Sequence, residues 1–521
     1  MLNKNERSFI MATISANRYP LRDRWSYLWL VIAAVLMVFT YGMYRNPMAA
    51  CLAQVFIIRF LHSRKVGRGY FLICLALVLA NIISWWNLMP TNPTLVRIIM
   101  GSIFGLLYSI PFLLDRVLVG RFNGFASTLV FPFTRAAFEF LTLWPNPMGT
   151  YGSLAYSQFS SLYLTQLTSI TGLWGITFVL SWFASTVNWI WEEGMLWQRI
   201  RRGLAVFAGA MLIILLFGML RLAYSYPQPD SVRIHGIVET DYTRYEWETN
   251  MFPLSKTDPV AFQAMMTPVY ERYLQATIRE AQAGAQIVVW PEVAVEGFRE
   301  DLDAVLVRAQ DIARQGGIYL AVGLNVIGPN LGSEGENRLV IIDPRGEIVI
   351  NQLKYGCMAF NMYDFTIPTV DTPYGRLAGV ICCDLDFPYV IRQVSQNGVD
   401  ILLNPSFEPT AENIVAHSQM APFTAIEYGV SIFRPTSQGI SLAIDPFGRI
   451  LGSMNSTRVD ERVFVVQLPN HHVHPVYSVV GELFGWLISI GFVFIVGWAI
   501  YRNRKSRTQA IAAPEAQHPS A

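Results

Sequence analysis

The feature that most constrains this sequence is a series of long apolar segments that fill most of its first half. Their approximate bounds are 26–44, 48–63, 70–86, 96–114, 123–143, 171–191 and 204–223, with one more near 479–501 in the second half. A bilayer core takes about 20 apolar residues in a helix. One such segment can be a buried helix of a soluble protein, but seven in series exceed what a soluble core can cover. The sequence therefore predicts a membrane domain over 26–224 with seven transmembrane helices, and a last transmembrane helix within 477–501.

The composition agrees with this division of the chain. Charged residues make up 15% of the sequence, against about 25% in an average soluble domain. Acids are scarce over 26–222, whereas 225–476 has the mixed composition of a globular domain. A net charge of +2 gives no reason to expect a nucleic acid partner. The five cysteines follow neither zinc-binding spacing nor a disulfide framework. We expect neither a metal nor a cofactor.

Lysine and arginine in the short loops predict the orientation in the membrane, because such residues concentrate on the cytoplasmic side. Five basic segments alternate with loops that are nearly free of positive charge. They are the N-terminal segment 1–25, the loops after the second, fourth and sixth spans, and the tail 502–521, which we expect to be disordered. With eight spans this pattern places both termini in the cytoplasm. The globular segment 225–476 is then extracytoplasmic, and the protein is expected in the inner (cytoplasmic) membrane.

The globular segment reads as an α/β domain in which chemically active residues follow strands. Apolar strands and amphipathic helices alternate from 232 onward. Glu292 ends "VVWPE", Lys354 ends "VINQLK", and the pair Cys382-Cys383 ends "AGVICC". A carboxylate, an ammonium and a thiol are the groups that covalent thiol catalysis needs as base, oxyanion partner and nucleophile. Each residue alone has an ordinary structural explanation, so the ordered set carries the inference.

These motifs resemble the carbon–nitrogen hydrolase (nitrilase) superfamily. The order W-P-E, a hairpin strand ending in Lys, and I-C-x-[DE] followed by F-P is similar to that family's pattern, and "DILLNPSFE", His417, "AIEYG" with Glu427, and "IDPFGRIL" follow in order. The resemblance implies an αββα sandwich and a triad of Glu292 as general base, Lys354 as oxyanion partner and Cys382 as nucleophile. Cys383 and Asp384 then take supporting positions, as does Glu427.

Together with the membrane half, the sequence resembles the apolipoprotein N-acyltransferase family. "LAYSQFSSLYLTQLTSITGLWGITFVLSW" is similar to a segment between that family's fifth and sixth spans and holds Tyr156 and Gln158. Arg135 and Glu139 lie four residues apart in the fifth span and can pair on one helix face, or can lie at the outer interface. All four are candidate site residues of the membrane domain.

The implied reaction moves an acyl chain from a membrane phospholipid, through a thioester, to the N-terminal amine of a lipidated lipoprotein. In the family motif the nucleophile follows the isoleucine directly, which selects Cys382 over Cys383. Because adjacent strand residues point to opposite faces, Cys383 is expected to be a packing residue near the site. The segment "YGCMAFNMYDFTIP", 355–368, can form a lipid-facing lid or a packed connection.

One departure from the family keeps two other functions open. The family has a glutamate shortly after the lysine, in a segment like H-L-V-P-F-G-E, whereas this chain has "KYGCMAFNMYD", with Met362 near that place and Asp364 as the nearest acid. A membrane-anchored amidase that hydrolyses an extracytoplasmic C–N bond remains an alternative. So does a catalytically idle member that binds a lipid or a partner protein.

Overall fold

The computed structural model of the protein covers two regions, a bundle of helices and a four-layered α/β domain. It describes residues 19–87, 93–143, 146, 148–225, 230–239, 242–328, 335–356, 365–409, 411–459 and 462–512. Most of the segment 355–368, including Met362 and Asp364, lies outside these residues, as do 1–18 and 513–521.

Eight helices coincide with the eight apolar segments. They are α1 (Ser26–Val38), α2 (Pro47–His62), α3 (Val66–Ser84), α4 (Thr94–Leu118), α5 (Val130–Leu143), α6 (Leu173–Glu192), α7 (Trp197–Ala223) and, after the α/β domain, α12 (Leu483–Ala512). Shorter helical turns connect them: Gly42–Tyr44, Val119–Arg121, Gly124–Leu129, Leu154–Gln158, Leu162–Thr165, Thr168–Thr171 and Val476–Val480.

Five of these helices are long and apolar enough to cross a membrane, namely α3, α4, α6, α7 and α12. Of the other three, α1 and α5 are shorter than the sequence pattern predicted, and α2 is as short as predicted. At 1.5 Å per residue, the 13 residues of α1, the 16 of α2 and the 14 of α5 span only about 20–24 Å, against a hydrocarbon core of about 30 Å. The predicted first span stops at Val38 because the chain turns at 39–46 to meet the α/β domain.

Fifteen strands form the described part of the α/β domain. They are β1 (Ser231–Ile237), β2 (Ile287–Val289), β3 (Val295–Phe298), β4 (Tyr319–Ile327), β5 (Glu336–Ile342), β6 (Ile348–Leu353), β7 (Thr369–Thr372), β8 (Gly375–Gly379), β9 (Ile401–Leu403), β10 (Ser406–Phe407), β11 (Ser431–Arg434), β12 (Thr436–Ser437), β13 (Ile440–Ile444), β14 (Ile450–Asn455) and β15 (Val463–Pro469). One large sheet has the order β15-β1-β2-β4-β5-β6, with β3 also paired to β4, and the second large sheet has the order β14-β13-β11-β9-β8-β7. The remaining strands, β10 and β12, form a separate two-stranded sheet.

Four helices cover the outer faces of the two large sheets. They are α8 (Pro259–Gln282), α9 (Arg299–Gly316), α10 (Pro388–Gln396) and α11 (Ala411–Tyr428). Shorter helical turns lie at Arg244–Glu246, Trp247–Met251, Phe252–Thr257 and Cys382–Asp386. The predicted αββα sandwich is therefore confirmed.

Alternation along the strands explains why the sheets are covered on both sides. In β2, Ile287 and Val289 pack between the two sheets, whereas Val288 packs under α8 and α9. Successive strand residues point to opposite faces, so an uninterrupted apolar strand is stable only when both faces are buried. In the second sheet, Leu402 packs against the layer of α10 and α11 in the same way.

The helical bundle and the α/β domain meet at a polar seam beneath the turn Cys382–Asp386. Thr150 donates from its backbone N and from its Oγ1 to the carbonyl oxygen of Asp386, at 2.9 and 3.0 Å. Tyr151 donates to Asn413 Oδ1 at 3.2 Å, and Gln166 donates to the carbonyl of Phe447 at 2.9 Å. The seam places the loop after α5 in direct contact with the turn that follows Cys382.

Candidate active site

Cys382 opens a tight turn between β8 and α10. The sequence pattern predicted a strand through both cysteines, but the strand ends at Gly379 and Cys382–Asp386 form a 3₁₀ turn. The backbone of Cys382 has φ +50°, a left-handed conformation that is strained for a residue with a side chain. A hydrogen bond from Cys382 N to the carbonyl of Pro405, at 2.9 Å, helps to hold the turn. Strain of this kind concentrates at functional sites and fixes where the sulfur points.

Glu292 follows β2 and is held in place by three donors. Lys354 Nζ lies 2.6 Å and Asn337 Nδ2 lies 2.7 Å from its Oε1, and the backbone N of Phe407 lies 2.9 Å from its Oε2. The side chain is 4% exposed. The carboxylate is therefore fixed beside the lysine and beside the strand that faces Cys382.

Lys354 follows β6, and its place is set by the β5–β6 hairpin. Its backbone N donates to the carbonyl of Asn337 at 2.8 Å. Burial favours the neutral amine, but the charges of Glu292, Cys382 and Asp384 favour the ammonium, and the net effect raises the pKa of Lys354. The site therefore holds a permanent positive charge next to the thiol.

The Cys382 thiol is protonated when the site is at rest. Burial raises the pKa of the Cys382 thiol well above its ordinary value, the charge of Glu292 raises it further, and Lys354 acts in the opposite direction. The sulfur lies 3.6 Å from the carbonyl oxygen of Phe407, to which the thiol donates. A thiol in this state becomes a nucleophile when a base removes its proton during attack. Glu292 is the carboxylate positioned for that step.

Asp384 holds the nucleophile turn against the chain that follows Lys354. Its two oxygens accept from the backbone N of Ile381 at 3.0 Å, of Gly356 at 2.9 Å and of Tyr355 at 3.3 Å. Burial raises the pKa of Asp384 to about 6, against the opposing effect of Lys354 and of these donors. Asp384 lies in the supporting position that the motif predicted, and it acts through the backbone.

Cys383 is disulfide-bonded, whereas Cys51, Cys74 and Cys382 are free. The cysteine count suggested no disulfide framework, and the disulfide at Cys383 contradicts that expectation. Cys383 is nevertheless buried in the core between the two sheets, as expected of a packing residue. The strand argument behind that role fails because both cysteines lie on the 3₁₀ turn. A disulfide-bonded sulfur has no thiol to ionise, so Cys382 carries the free thiol of the pair.

A chain of ion pairs forms the wall of the site on the membrane side. His417 on α11 lies 3.2 Å from Asp386 Oδ2 and 3.0 Å from Glu408, and Arg434 pairs with the same Glu408. Burial opposes the charge of His417, but Glu408 and Asp386 outweigh it and raise the pKa of His417 to about 10. Burial likewise opposes the charge of Glu408, but His417 and Arg434 lower its pKa to about 2. His417, Glu408 and Arg434 are therefore charged near neutral pH.

This network also contains the one group of potential metal ligands found in the described part of the chain. Cys382, Glu408 and His417 each offer a ligand atom, and these atoms lie within 4.8 Å of one another. A metal ligand must be deprotonated, whereas His417 is held protonated and Arg434 already neutralises Glu408. The charges of this cluster fit an ion-pair network better than a cation site.

A cavity of about 190 Å³ opens over these groups. It is lined by Arg244, Glu292, Val293, Asn337, Lys354, Cys382, Cys383, Phe407, Glu408, Pro409, Asn413 and His417. Pockets for drug-sized ligands hold about 300–1,000 Å³. This cavity therefore fits the reacting end of a larger substrate, whose remainder must extend outside it.

Six of the predicted residues lie outside the cavity wall: Asp384, which supports the turn from behind, and five others. Glu427 is buried on α11, and burial together with the nearby charge of Glu482 raises its pKa well above the ordinary value. Arg135 and Glu139 pair on α5 at 3.3 Å and are 3% and 4% exposed, so they are buried in the bundle and do not reach out to the interface. Tyr156 hydrogen-bonds Thr150 at 2.7 Å, and Gln158 donates to the carbonyl of Pro47 at 3.3 Å.

Sequence reasoning missed Asn337, which fixes Glu292. Its signal lies in strand register: Arg338 faces Leu353 across the β5–β6 hairpin, which places Asn337 opposite Lys354. It also assigned no role to Arg244 and Asn413, which line the cavity, or to the pairing of Arg434 with Glu408. No motif includes Arg244 or Asn413. Arg244 follows β1 and Asn413 lies on α11, and only the folded arrangement places both at the cavity.

Two family models match this chain, one in each region. The model described as apolipoprotein N-acyltransferase N-terminal domain matches residues 33–186, and the model described as carbon-nitrogen hydrolase matches residues 263–475. The apolipoprotein N-acyltransferase of Geobacter metallireducens is 23% identical over 93% of this chain and 96% of its own length. That of Pseudomonas syringae pv. tomato is 24% identical over 68% of this chain and 71% of its own length. A solved amidase of the nitrilase superfamily from Nesterenkonia has 21% identity and a TM-score of 0.37, and the match covers 49% of this chain and 96% of that one.

Proposed function

We propose that this chain, which is similar to the carbon–nitrogen hydrolases and, in its membrane half, to the apolipoprotein N-acyltransferases, acylates lipoproteins. The donor is a membrane phospholipid, and the acceptor is the free N-terminal amine of a lipidated lipoprotein. The observation that carries the proposal is the arrangement around Cys382. Its free thiol shares one cavity with Glu292 and Lys354, and that cavity lies directly above the seam with the membrane helices.

The first half-reaction acylates Cys382. Glu292 takes the thiol proton as the sulfur attacks an ester carbonyl of the phospholipid, forming the S–C bond and a tetrahedral oxyanion. The ammonium of Lys354, which is already charged, stabilises that oxyanion. The C–O bond then breaks, the lysophospholipid oxygen takes the proton from Glu292, and the acyl chain stays on the enzyme as a thioester.

The second half-reaction passes the chain to the amine. The amine nitrogen attacks the thioester carbonyl while Glu292 takes its proton, and the new oxyanion again lies beside Lys354. The C–S bond then breaks and Cys382 leaves as the thiolate. The thiolate takes the proton back from Glu292. The products are an amide and the free enzyme, so no cofactor or metal enters the balance.

We also propose that the α/β domain is extracytoplasmic and that both termini are cytoplasmic. The alternating basic loops support this orientation. The disulfide at Cys383 supports it independently, because disulfides persist in oxidising compartments such as the bacterial periplasm. Lipidated lipoproteins meet the outer leaflet of the cytoplasmic membrane in that compartment.

The acyl-transfer proposal is tested with purified protein in nanodiscs. The donor is phosphatidylethanolamine with deuterated acyl chains, and the acceptor is a peptide with a diacylglyceryl-modified N-terminal cysteine. We expect a deuterated amide on the peptide by mass spectrometry, and none with Cys382→Ala. Release of deuterated fatty acid without the amide would assign a hydrolase instead. Neither product, from protein that is folded and correctly inserted, would assign a binding role.

The orientation is tested with single added cysteines and a thiol reagent that does not cross membranes. Thr457→Cys lies on an exposed position of the α/β domain, and Lys65→Cys lies on an exposed position between α2 and α3. In intact spheroplasts Thr457→Cys is expected to be labelled and Lys65→Cys to be labelled only after lysis. The reverse pattern would invert the proposed topology.

A further inference from the structure

A buried arginine without a counter-charge lies at the seam, on the membrane side of the catalytic cavity. Arg45 is in the connection between α1 and α2 and is 6% exposed. Its Nη1 donates to Gln419 Oε1 at 3.4 Å, and its guanidinium lies 5.9 Å from the ring centroid of Tyr156. Its Nε and Nη2 are buried and have no hydrogen-bond partner in the described structure.

The two unpartnered nitrogens of Arg45 point to a specific kind of ligand. Nε and Nη2 form one edge of the planar guanidinium, the fork that binds two oxygens of a phosphate or carboxylate at once. A buried cation is costly unless an anion pairs with it. Among the residues that the structure describes, no carboxylate lies within ion-pair distance of Arg45. An external anion would satisfy both the charge and the fork.

Glu139, a neighbouring acid, is already committed to other partners. Glu139 accepts from Ser153 Oγ at 2.6 Å, from Leu154 N at 3.2 Å and from Thr177 Oγ1 at 2.8 Å, besides its pair with Arg135. A second buried donor, Nε of Arg135, is also unpartnered.

Arg135 Nη2 donates to the Tyr41 hydroxyl at 2.7 Å, and its guanidinium lies 5.5 Å from the ring centroid of Tyr108, which stacks on Tyr41. Tyr41 lies in the same connection between α1 and α2 as Arg45, so both arginines belong to one polar cluster. The cluster holds two arginines against the single carboxylate of Glu139, and it is therefore electropositive.

A short chain of contacts connects this cluster to the active site. Tyr156, against which Arg45 lies, hydrogen-bonds Thr150, and Thr150 donates to the carbonyl of Asp386. Asp386 in turn pairs with His417, which lines the catalytic cavity. An anion on Arg45 would thus lie just below the cavity, at the end of the membrane helices where lipid head groups are found.

We propose that Arg45 binds the phosphate group of the donor phospholipid and so presents its acyl ester to Cys382. In a phospholipid only the glycerol backbone separates the phosphate from the acyl esters, which suits two adjoining sites. The inference rests on the proposed function for the identity of the donor. The anion chemistry is shared by free phosphate, and the two sources are separated by experiment.

The test measures lipid binding in a Cys382→Ala background, where no acyl transfer takes place. Native mass spectrometry compares palmitoyl-oleoyl phosphatidylethanolamine with the diacylglycerol of the same chains, which lacks the phosphate. Adding Arg45→Gln is expected to weaken phospholipid binding by about tenfold or more, the loss of one charge-assisted fork, and to leave diacylglycerol binding unchanged. Arg97→Gln removes an arginine at the start of α4 as a matched control and is expected to change neither.

Equal phospholipid binding with and without Arg45→Gln would overturn the proposal. A thermal-shift measurement on the Cys382→Ala protein alone covers the case in which Arg45→Gln does not fold. There the phospholipid, and not the diacylglycerol, is expected to raise the melting temperature, and equal shifts would overturn the proposal. Stabilisation by inorganic phosphate but not by phospholipid would assign free phosphate as the ligand and overturn the lipid assignment. If the protein with Cys382 intact transfers no acyl chain while phospholipid binding still depends on Arg45, the proposed function is contradicted and the Arg45 assignment stands.

Discussion

Replacing Lys354 by alanine tests the electrostatics of the site most sharply. The substitution removes the one ammonium held between Glu292 and Cys382, and with it the proposed oxyanion partner. Loss of a single oxyanion donor costs about 10²–10³ in rate, or about 2.7–4 kcal/mol of transition-state stabilisation. We therefore expect thioester formation in Lys354→Ala to slow by at least about 10²-fold.

The same substitution has a separate effect on stability. Breaking a buried ion pair costs about 3–5 kcal/mol because it leaves one charge unpaired. Glu292 keeps two neutral donors, Asn337 Nδ2 and Phe407 N. The loss of unfolding free energy is therefore expected near the lower end of this range, at about 3 kcal/mol. A protein that remains folded but reacts slowly would thus separate the catalytic effect from the structural one.

The assay follows intact mass after mixing with phospholipid and fits the rate at which the acyl adduct appears. Thermal unfolding of the same samples reports the fraction folded. Lys354→Arg is expected not to rescue the rate, because the planar guanidinium cannot replace a compact charge in a closed pocket. Lys256→Ala removes an exposed lysine and serves as the control. A rate within about threefold of the parent in folded Lys354→Ala would remove lysine from the mechanism.

Three further predictions concern the groups around the triad. Asn337→Ala frees Glu292 from one donor and is expected to slow thioester formation by about tenfold while the protein stays folded, measured by the same mass assay; an unchanged rate would show that Glu292 needs no such support. His417→Gln is expected to destabilise the protein at pH 6 and progressively less toward pH 10. Its pKa is raised to about 10, so its stabilisation is complete below its ordinary pKa near 6.5 and is lost as pH rises through about 10. Melting temperatures of parent and variant at both pH values check this, and a constant difference would contradict it. Cys383→Ala removes the disulfide and is expected to cost about 2–4 kcal/mol in unfolding free energy while Cys382 still acquires the acyl group, and an adduct that disappears without unfolding would contradict that role.

Local motifs in the sequence predicted the sandwich and the residues that share the cavity. Glu292, Lys354 and Cys382 each stand at the end of an apolar strand or hairpin, and the carboxyl ends of strands meet at one edge of a sheet. The helices of the membrane bundle also coincide with the apolar segments. The local sequence predicts these features because apolar periodicity sets the helices and strands, and the residues that follow each strand can be read directly.

Long-range contacts could not be predicted in this way. Asn337 depends on hairpin register, and the disulfide of Cys383 depends on geometry that a count of cysteines does not reveal. The strand was extended through Cys382 because an apolar run looks the same in a strand and in a buried turn. The burial of Arg45 beside α11 follows from the docking of the two regions, which no segment of the sequence describes.

The most direct test of the account is to locate the acyl group on the enzyme. The purified protein is incubated with phosphatidylethanolamine without acceptor, trapped at low pH and digested, and the adduct is mapped by tandem mass spectrometry. The account predicts a hydroxylamine-sensitive acyl group on Cys382, which disappears when the acceptor peptide is added and is absent in Cys382→Ala. An adduct on another residue, or acyl transfer that proceeds in Cys382→Ala, would contradict the account.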